Sequence, residues 1–480
     1  MHAKLDTRFD TRFDTRFDYD LIVIGAGAVG ENVADYAAKR GVRAAIVESE
    51  LVGGECSYWA CTPSKVLLRS GHALRAVHRL AGAREAVTGQ IDPAAVLARR
   101  TSFTDGWSDD GQVAWLKSAG IDLLRGQGSI EGPGQVRVGD QVYSARAVAL
   151  ATGSVPVLPA IPGLADAAPW GTREATAANH VPPRLVVVGG GVAGTELAVA
   201  FASLGSQVTL LSRMGLLERE EPFVGEYLTA ALTADGVDVR LAVTPARVDR
   251  GADGSVTVTL EDGGTVQAEE ILVSTGRRPR TDDLRLDRIG LDAGPVVVDE
   301  TMLVAGTDWL YAVGDVNGRA LLTHQGKYQA RAAGEAIAAR LHGAPLDDAP
   351  WGAHAATADH AAIPRVVFTD PEVAAVGYTE VQARARGLTV RAVEYDLGWV
   401  AGAKIHADNY TGRAKLVIDE DSRTVVGATF VGQDVAELLH AATVAIVGQV
   451  TIDRLWHAVP AYPTISEIWL RLLETYGRPR

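Results

Sequence analysis

Two stretches of the chain share one pattern of apolar and polar positions. The first is "YDLIVIGAGAVGENVADYAAKRGVRAAIVESE", beginning at Tyr19. It opens with a short apolar run, the mark of a buried strand, and passes through a glycine cluster. Apolar residues then recur at helical spacing, and a second apolar run ends in Glu48. The pattern predicts strand, tight turn, amphipathic helix and strand. The second stretch, "RLVVVGGGVAGTELAVAFASLGSQVTLLSR", repeats the order from Arg184 to Arg213.

Past about residue 348 the pattern changes. "AIPRVVFTDPEVAAVGYTEVQARARG", "RAKLVIDEDSRTVVGATFVG" and "DVAELLHAATVAIVGQV" alternate strands and helices with no glycine-rich turn of this kind. This segment reads as a separate α+β module. Between the two repeats, "ALATGSVPVLPAIPG" has the turn and prolines of a chain leaving one domain for another. A matching return occurs at "EILVSTGRRPRTDDL", and "DWLYAVGDVNG" reads as a strand ending at Asp315. The first domain is therefore expected to be split by the second. The expected boundaries are 19–155 with 280–347 for the split domain, 156–279 for the insert and 348–480 for the last module.

The glycines of both turns follow GxGxxG: Gly25, Gly27 and Gly30, then Gly189, Gly191 and Gly194. Such glycines permit a tight turn, close approach of a diphosphate to the backbone, and close packing of helix on strand. The helix N-terminus adds N–H groups and positive dipole. Glu48 closes the second strand, where a carboxylate accepts hydrogen bonds from ribose hydroxyls. Two such units imply two dinucleotides, or one site and a structural echo. Two dinucleotides suit a flavin enzyme that takes hydride from a nicotinamide.

Composition narrows the class. The chain has 480 residues and a formal net charge of −13, which argues against nucleic acid or an anionic membrane as partner. No apolar run has the length of a membrane span, no signal peptide is visible, and a cytoplasmic location is expected. The first eighteen residues carry a DTRF tandem repeat and read as a disordered tail without assigned function. Both cysteines of the chain, Cys56 and Cys61, lie in "GGECSYWACTPSK". In a reducing compartment such a pair points to a redox couple or part of a metal site. No second pair with ligand spacing accompanies it, so no metal site is expected. Both are expected at the start of one helix, where dipole and N–H groups favour a thiolate.

Taken in order, these landmarks resemble the class I pyridine nucleotide–disulfide oxidoreductases, the family of dihydrolipoamide dehydrogenase, glutathione reductase and mercuric reductase. The resemblance rests on GGxCxxxxCxPSK, ATG, the second GxGxxG followed by Glu196, STGRRP, Gly314–Asp315 and FTDPE, and runs from Tyr19 into the C-terminal region. It implies an FAD domain, an NAD(P) domain and a C-terminal dimerisation domain, in a homodimer whose last domain completes the partner's site. It implies a redox-active Cys56–Cys61 disulfide reduced through FAD. Cys61 would then be the thiolate beside the flavin and Cys56 the outer thiol. Lys65 would pair with Glu196 beside the flavin. Thr152, Gly153, Asp315 and Thr323 would join the FAD site, with Asp315 on the ribityl chain. Gly276 would join the nicotinamide site.

Two departures shape the expected activity. Disulfide-exchanging relatives carry His-Pro-Thr near the C-terminus, with a Glu five residues after the His. This chain reads "HAVPAYPTISEIW", with Tyr462 at the His position and Glu467 at the Glu position. A phenol of pKa about 10 is a poor base near neutrality. His457 lies five residues upstream and reads as a surface or capping residue. Mercuric reductases share the tyrosine, but they collect metal with a C-terminal cysteine pair, whereas this chain ends "LLETYGRPR". Mercuric reduction is therefore not expected as the main activity. Second, the strand of the inserted domain ends in Ser212–Arg213, with Arg219 six residues on and no acid at its end. Guanidinium groups suit a 2′-phosphate. NADPH is favoured over NADH, although Gly194 is the form commoner with NAD. The expectation is an FAD-dependent NADPH oxidoreductase with a small-molecule acceptor: a quinone, a metal ion or an unusual disulfide. Dihydrolipoamide dehydrogenase or another disulfide reductase is the alternative, and a low-turnover flavin redox sensor a second. Trp59, between the cysteines, reads as a core residue.

Overall fold

The computed structural model describes residues 16–478. Most of the DTRF tail expected at 1–18 lies outside the described residues. The chain divides into two units. Within the described residues the first comprises 16–58, 105–155 and 277–359, and the second 59–104, 156–276 and 360–478.

The first unit is built on the strand Tyr19–Ile24. It pairs in parallel with Ala44–Glu48 on one side and with Gln141–Leu150 on the other. Asp122–Arg125 extends the sheet past Ala44–Glu48, and Leu310–Ala312 adds in parallel to Gln141–Leu150. Leu21, Ile22 and Val23 are fully buried. An unbroken apolar run is what a parallel strand covered on both faces requires. Gln141–Leu150 changes partners along its length: its first residues continue an antiparallel meander with Gln135–Val138, and its last six join the parallel sheet. The helices Ala28–Ala38 and Thr323–His342 pack against each other. The strand expected to end at Asp315 stops at Ala312, and Asp315 falls in a single helical turn, Gly314–Asn317. Asn317 closes that turn, donating from its side-chain amide to the Ala312 carbonyl at 3.1 Å.

The second unit holds a parallel sheet in the order Asp238–Leu241, Gln207–Ser212, Arg184–Val188, Glu270–Val273. An antiparallel meander, Pro245–Arg250, Val256–Leu260 and Thr265–Ala268, accompanies it. The C-terminal part is a five-stranded antiparallel sheet running Pro364–Val367, Glu372–Gly377, Thr424–Gly432, Arg413–Asp419, Val390–Asp396. The helices Leu439–Val447 and Ile468–Tyr476 flank it. One core cluster joins Leu67 and Leu68 of the helix Cys61–His78 to Leu197 and Phe201 of the helix Val192–Ser203. The architecture is α/β, with two Rossmann-like sheets and an α+β C-terminal module. Among the described residues no helix is long and apolar enough to cross a membrane.

Both glycine turns bring a helix onto its strand by the same close approach. A Cβ on Gly30 would lie 1.9 Å from the Gly25 carbonyl oxygen, and one on Gly194 would lie 2.0 Å from that of Gly189. Gly191, three residues before Gly194, has nothing within 4 Å of its Cβ position. Gly194→Ala should therefore cost about 1–3 kcal/mol of stability as an overpacking change. Gly191→Ala should cost at most about 1 kcal/mol, as a poorer helix cap. Thermal unfolding of the two variants checks this; equal losses would mean that the close approach is not what holds the turn.

Candidate active site

In the first unit, the strand Tyr19–Ile24 delivers Gly25 at φ +103°, and Gly27 caps the helix that follows. The backbone of Gly27 is bridged to Gly53, and a Cβ on Gly54 would lie 2.7 Å from the Gly27 Cα. The cradle at this helix N-terminus is thus walled by glycine backbone from two segments, which leaves space for a diphosphate. Glu48, at the end of its strand, is fixed by two backbone donors: Ala26 N–H to Oε2 and Glu50 N–H to Oε1, both at 2.8 Å. Its carboxylate keeps lone pairs for ribose hydroxyls.

Asp315 accepts from the Ser154 hydroxyl at 2.5 Å. Burial pushes its carboxyl above the ordinary value, against the hydrogen bond from Ser154 and the charge of Arg277. Arg277 donates to the Ser154 hydroxyl at 2.7 Å and pairs with Glu55, the residue before Cys56. Thr152 donates to the Arg280 carbonyl at 2.7 Å, and Gly153 accepts from Arg280 N–H at 3.0 Å. Thr323, the first residue of its helix, donates its hydroxyl to Cys56 Sγ at 3.2 Å. The residues of this unit have the chemistry an FAD requires: a backbone cradle, an acid at the end of the strand Ala44–Glu48 and a second acid on the turn Gly314–Asn317.

The two cysteines do not share one helix. Cys56 lies in a five-residue helix, Gly54–Tyr58, and Cys61 begins the helix Cys61–His78. Ala60, with φ −136° and ψ −96°, breaks the run between them. The dipole argument therefore belongs to Cys61.

In the second unit, Lys65 sits one turn into that helix. Its ammonium lies 2.6 Å from Glu196 Oε2. Glu196 is 3% exposed, and its other oxygen accepts from Phe368 N–H at 2.9 Å. The Phe368 ring lies 5.1 Å from the ammonium. Each partner of this buried carboxylate is thereby matched. Trp59 is packed in the core, its carbonyl accepting from Thr176 and its ring stacked under the Arg173 guanidinium at 3.7 Å.

Around the second glycine turn, Gly189 has φ +125°, with its Cβ position 2.5 Å from the Ser274 carbonyl oxygen. Gly191 borders open space and Gly276 likewise. Ser212 is buried and turns its hydroxyl onto the Gly215 carbonyl, under Gly190. Arg213 and Arg219 are exposed. Glu218, passed over in the sequence, accepts from Gly215 N–H at 2.6 Å in the same loop.

Near the C-terminus, Tyr462 is 76% exposed. Glu467 is 6% exposed and accepts from Arg471 at 2.5 Å, one helical turn on. The i, i+4 spacing marks that partner in the sequence. His457 is exposed. The motif reading also missed Glu31, Glu55, Ser154 and Arg277. Only Glu31 carried a local signal, as an acid in the first turn after GxGxxG.

Residues 19–336 match the family model "Pyridine nucleotide-disulphide oxidoreductase", and residues 363–472 match its dimerisation domain. A mercuric reductase of Shigella flexneri is 33% identical over 95% of this chain and 81% of its own. A dihydrolipoyl dehydrogenase of Bacillus subtilis is 31% identical over 95% and 96%. In fold, the chain is similar to the Cu(II) complex of the HOCl-induced flavoprotein disulfide reductase RclA from Escherichia coli. The TM-score is 0.81 at 24% identity, over 95% of this chain and 99% of that one. With the glycine cradles and the cysteine pair in place, these matches show that the chain belongs to the pyridine nucleotide–disulphide oxidoreductases, FAD-dependent enzymes that work with a pyridine nucleotide.

Proposed function

We propose that the chain passes electrons from NADPH, by way of FAD and a Cys56–Cys61 disulfide, to an acceptor that needs no proton shuttle at Tyr462. Quinones and metal ions meet that condition; ordinary small disulfides do not. The observation that carries this reading is the pair Tyr462 and Glu467. The phenol is exposed, and the acid that would orient an imidazole is held by Arg471. A proton-transferring group contributes about 10²–10⁴-fold to thiol–disulfide exchange of this kind.

Bound FAD supplies two-electron transfer between a nicotinamide and a thiol pair. The remaining roles fall to the chain. The glycine turn at Gly25, Gly27 and Gly30 binds the diphosphate, Glu48 the adenosine ribose, and Asp315 with Thr152, Gly153 and Thr323 the flavin end. Gly189, Gly191, Gly194 and Gly276 bind the nicotinamide dinucleotide, with Arg213 and Arg219 facing the 2′-phosphate. Lys65, held by Glu196, places its side-chain nitrogen beside the reacting centre. Cys61, at its helix N-terminus, is the thiolate facing the flavin. Cys56, hydrogen-bonded by Thr323, is the thiol facing the acceptor. We assign 19–155 with 280–347 to FAD, 156–279 to NADPH and 348–480 to a homodimer interface, in a cytoplasmic enzyme. Dihydrolipoyl dehydrogenase activity is the second reading, favoured by the near full-length match to such enzymes.

Anaerobic NADPH oxidation with lipoamide, glutathione disulfide, quinones and metal ions in turn tests the proposal. Quinones or metal ions should be reduced readily and lipoamide slowly. Lipoamide turnover at hundreds per second would establish the second reading instead. Tyr462→His should raise lipoamide turnover at least tenfold and leave quinone reduction nearly unchanged. Adding Arg471→Leu should raise it further by releasing Glu467.

The thiols are separable by absorbance. Cys56→Ser should show a long-wavelength band from the Cys61 thiolate before any reductant is added, and Cys61→Ser should never show it. A band retained in Cys61→Ser would reverse the assignment.

Coenzyme choice is tested at Arg213. Changing it to Glu should lower kcat/KM for NADPH at least tenfold, about 1.4 kcal/mol, and leave NADH unaffected or improved. Equal losses with both coenzymes would remove Arg213 from the 2′-phosphate site.

A further inference from the structure

Glu31 follows the third glycine of the first GxGxxG turn and lies in the first turn of the eleven-residue helix Ala28–Ala38. It is 8% exposed, and its Oε1 is fully enclosed with no hydrogen-bond partner among the described residues. An ionised carboxylate in such a place would be costly. Three titratable groups face it. Lys327, on the helix Thr323–His342, favours its ionisation; Glu48, on the neighbouring strand, opposes it. Tyr58, on the short helix Gly54–Tyr58, has its own phenol pushed up to about 12, chiefly by burial, with Glu31 contributing. Asp35, one turn along the same helix, is committed to Lys39 at 2.6 Å. Burial dominates the balance and lifts Glu31 to about 7.

A helix N-terminus already favours an anion through its N–H groups and dipole. A carboxylate there would repel a diphosphate; a carboxylic acid donates a hydrogen bond to it. We propose that Glu31 is a further ligand of the FAD diphosphate, acting as a neutral acid that donates one hydrogen bond to a phosphate oxygen. The diphosphate's charge favours the protonated acid still more. Binding FAD therefore takes up a proton wherever the acid is ionised beforehand. FAD affinity is then flat at acid pH and falls as pH rises through about 7, by up to tenfold per unit.

FAD release from the holoenzyme tests this, read as the rise in flavin fluorescence on dilution between pH 5.5 and 8.5. The wild type should release at least tenfold more FAD at equilibrium at pH 8.5 than at pH 6. Glu31→Gln keeps a donor that does not titrate, so it should hold FAD as the wild type does at pH 6 and lose the pH dependence. Glu31→Leu, with no donor, should release at least tenfold more FAD at pH 6. A Gln variant with the wild-type pH slope would overturn the proposal. So would a Gln variant that loses FAD as readily as Leu, or three proteins that retain it alike. The acceptor plays no part in this measurement, so its outcome is independent of the electron-transfer reading.

Discussion

Both glycine turns depend on one steric constraint: the backbone of a helix's first turn rests on the carbonyl of the residue just after the preceding strand. At Gly30 and Gly194 a single methyl group would overlap that carbonyl, at 1.9 and 2.0 Å. Glycine at these positions sets how close each helix lies to its sheet. That distance fixes where the N-terminal N–H groups point, and so the anion site that such a helix offers. Glu48 and the Cys56 helix in the first unit are placed from the same turn: Ala26 N–H anchors the Glu48 carboxylate, and Gly53 and Gly54 abut Gly27. In the second unit, Glu196 is two residues past Gly194, and its pairing with Lys65 follows from the helix seating.

Charge in these sites is managed by pairing or by neutrality. Glu196 is buried, and both its oxygens are satisfied, by Lys65 and by the Phe368 N–H. Glu467 is buried and bridged to Arg471. Glu55, beside Cys56, is bridged to Arg277, whose guanidinium also reaches Ser154 and, through its hydroxyl, Asp315. Glu31 is enclosed at Oε1 without a hydrogen-bond partner among the described residues, as Glu467 is at Oε2; Glu467 has Arg471 on its other oxygen, whereas burial of Glu31 favours the neutral form. A buried carboxyl must take one of these two courses, because an isolated charge in an apolar interior is too costly to retain.

The sequence by itself determined the α/β class, the two strand–turn–helix units and the α+β end, because each rests on a local period or on glycines a few residues apart. It also determined which chemistry to look for, since Cys56 and Cys61 are the whole thiol content of the chain. Other features were decided only in three dimensions. The break at Ala60 that separates the cysteines into two helices is a backbone choice that propensity does not foretell. The turn that carries Asp315 beyond its strand is held by Asn317. Ser212, at the end of its strand, is folded under Gly190, and Glu218 caps the same loop. Arg277 meets Glu55 across more than two hundred residues of chain, and the enclosure of Glu31 depends on elements far from it in sequence. The physical reason is the range of the forces: hydrophobic period and glycine sterics act over a few residues, whereas burial, desolvation and ion pairing depend on which distant segments the fold brings together.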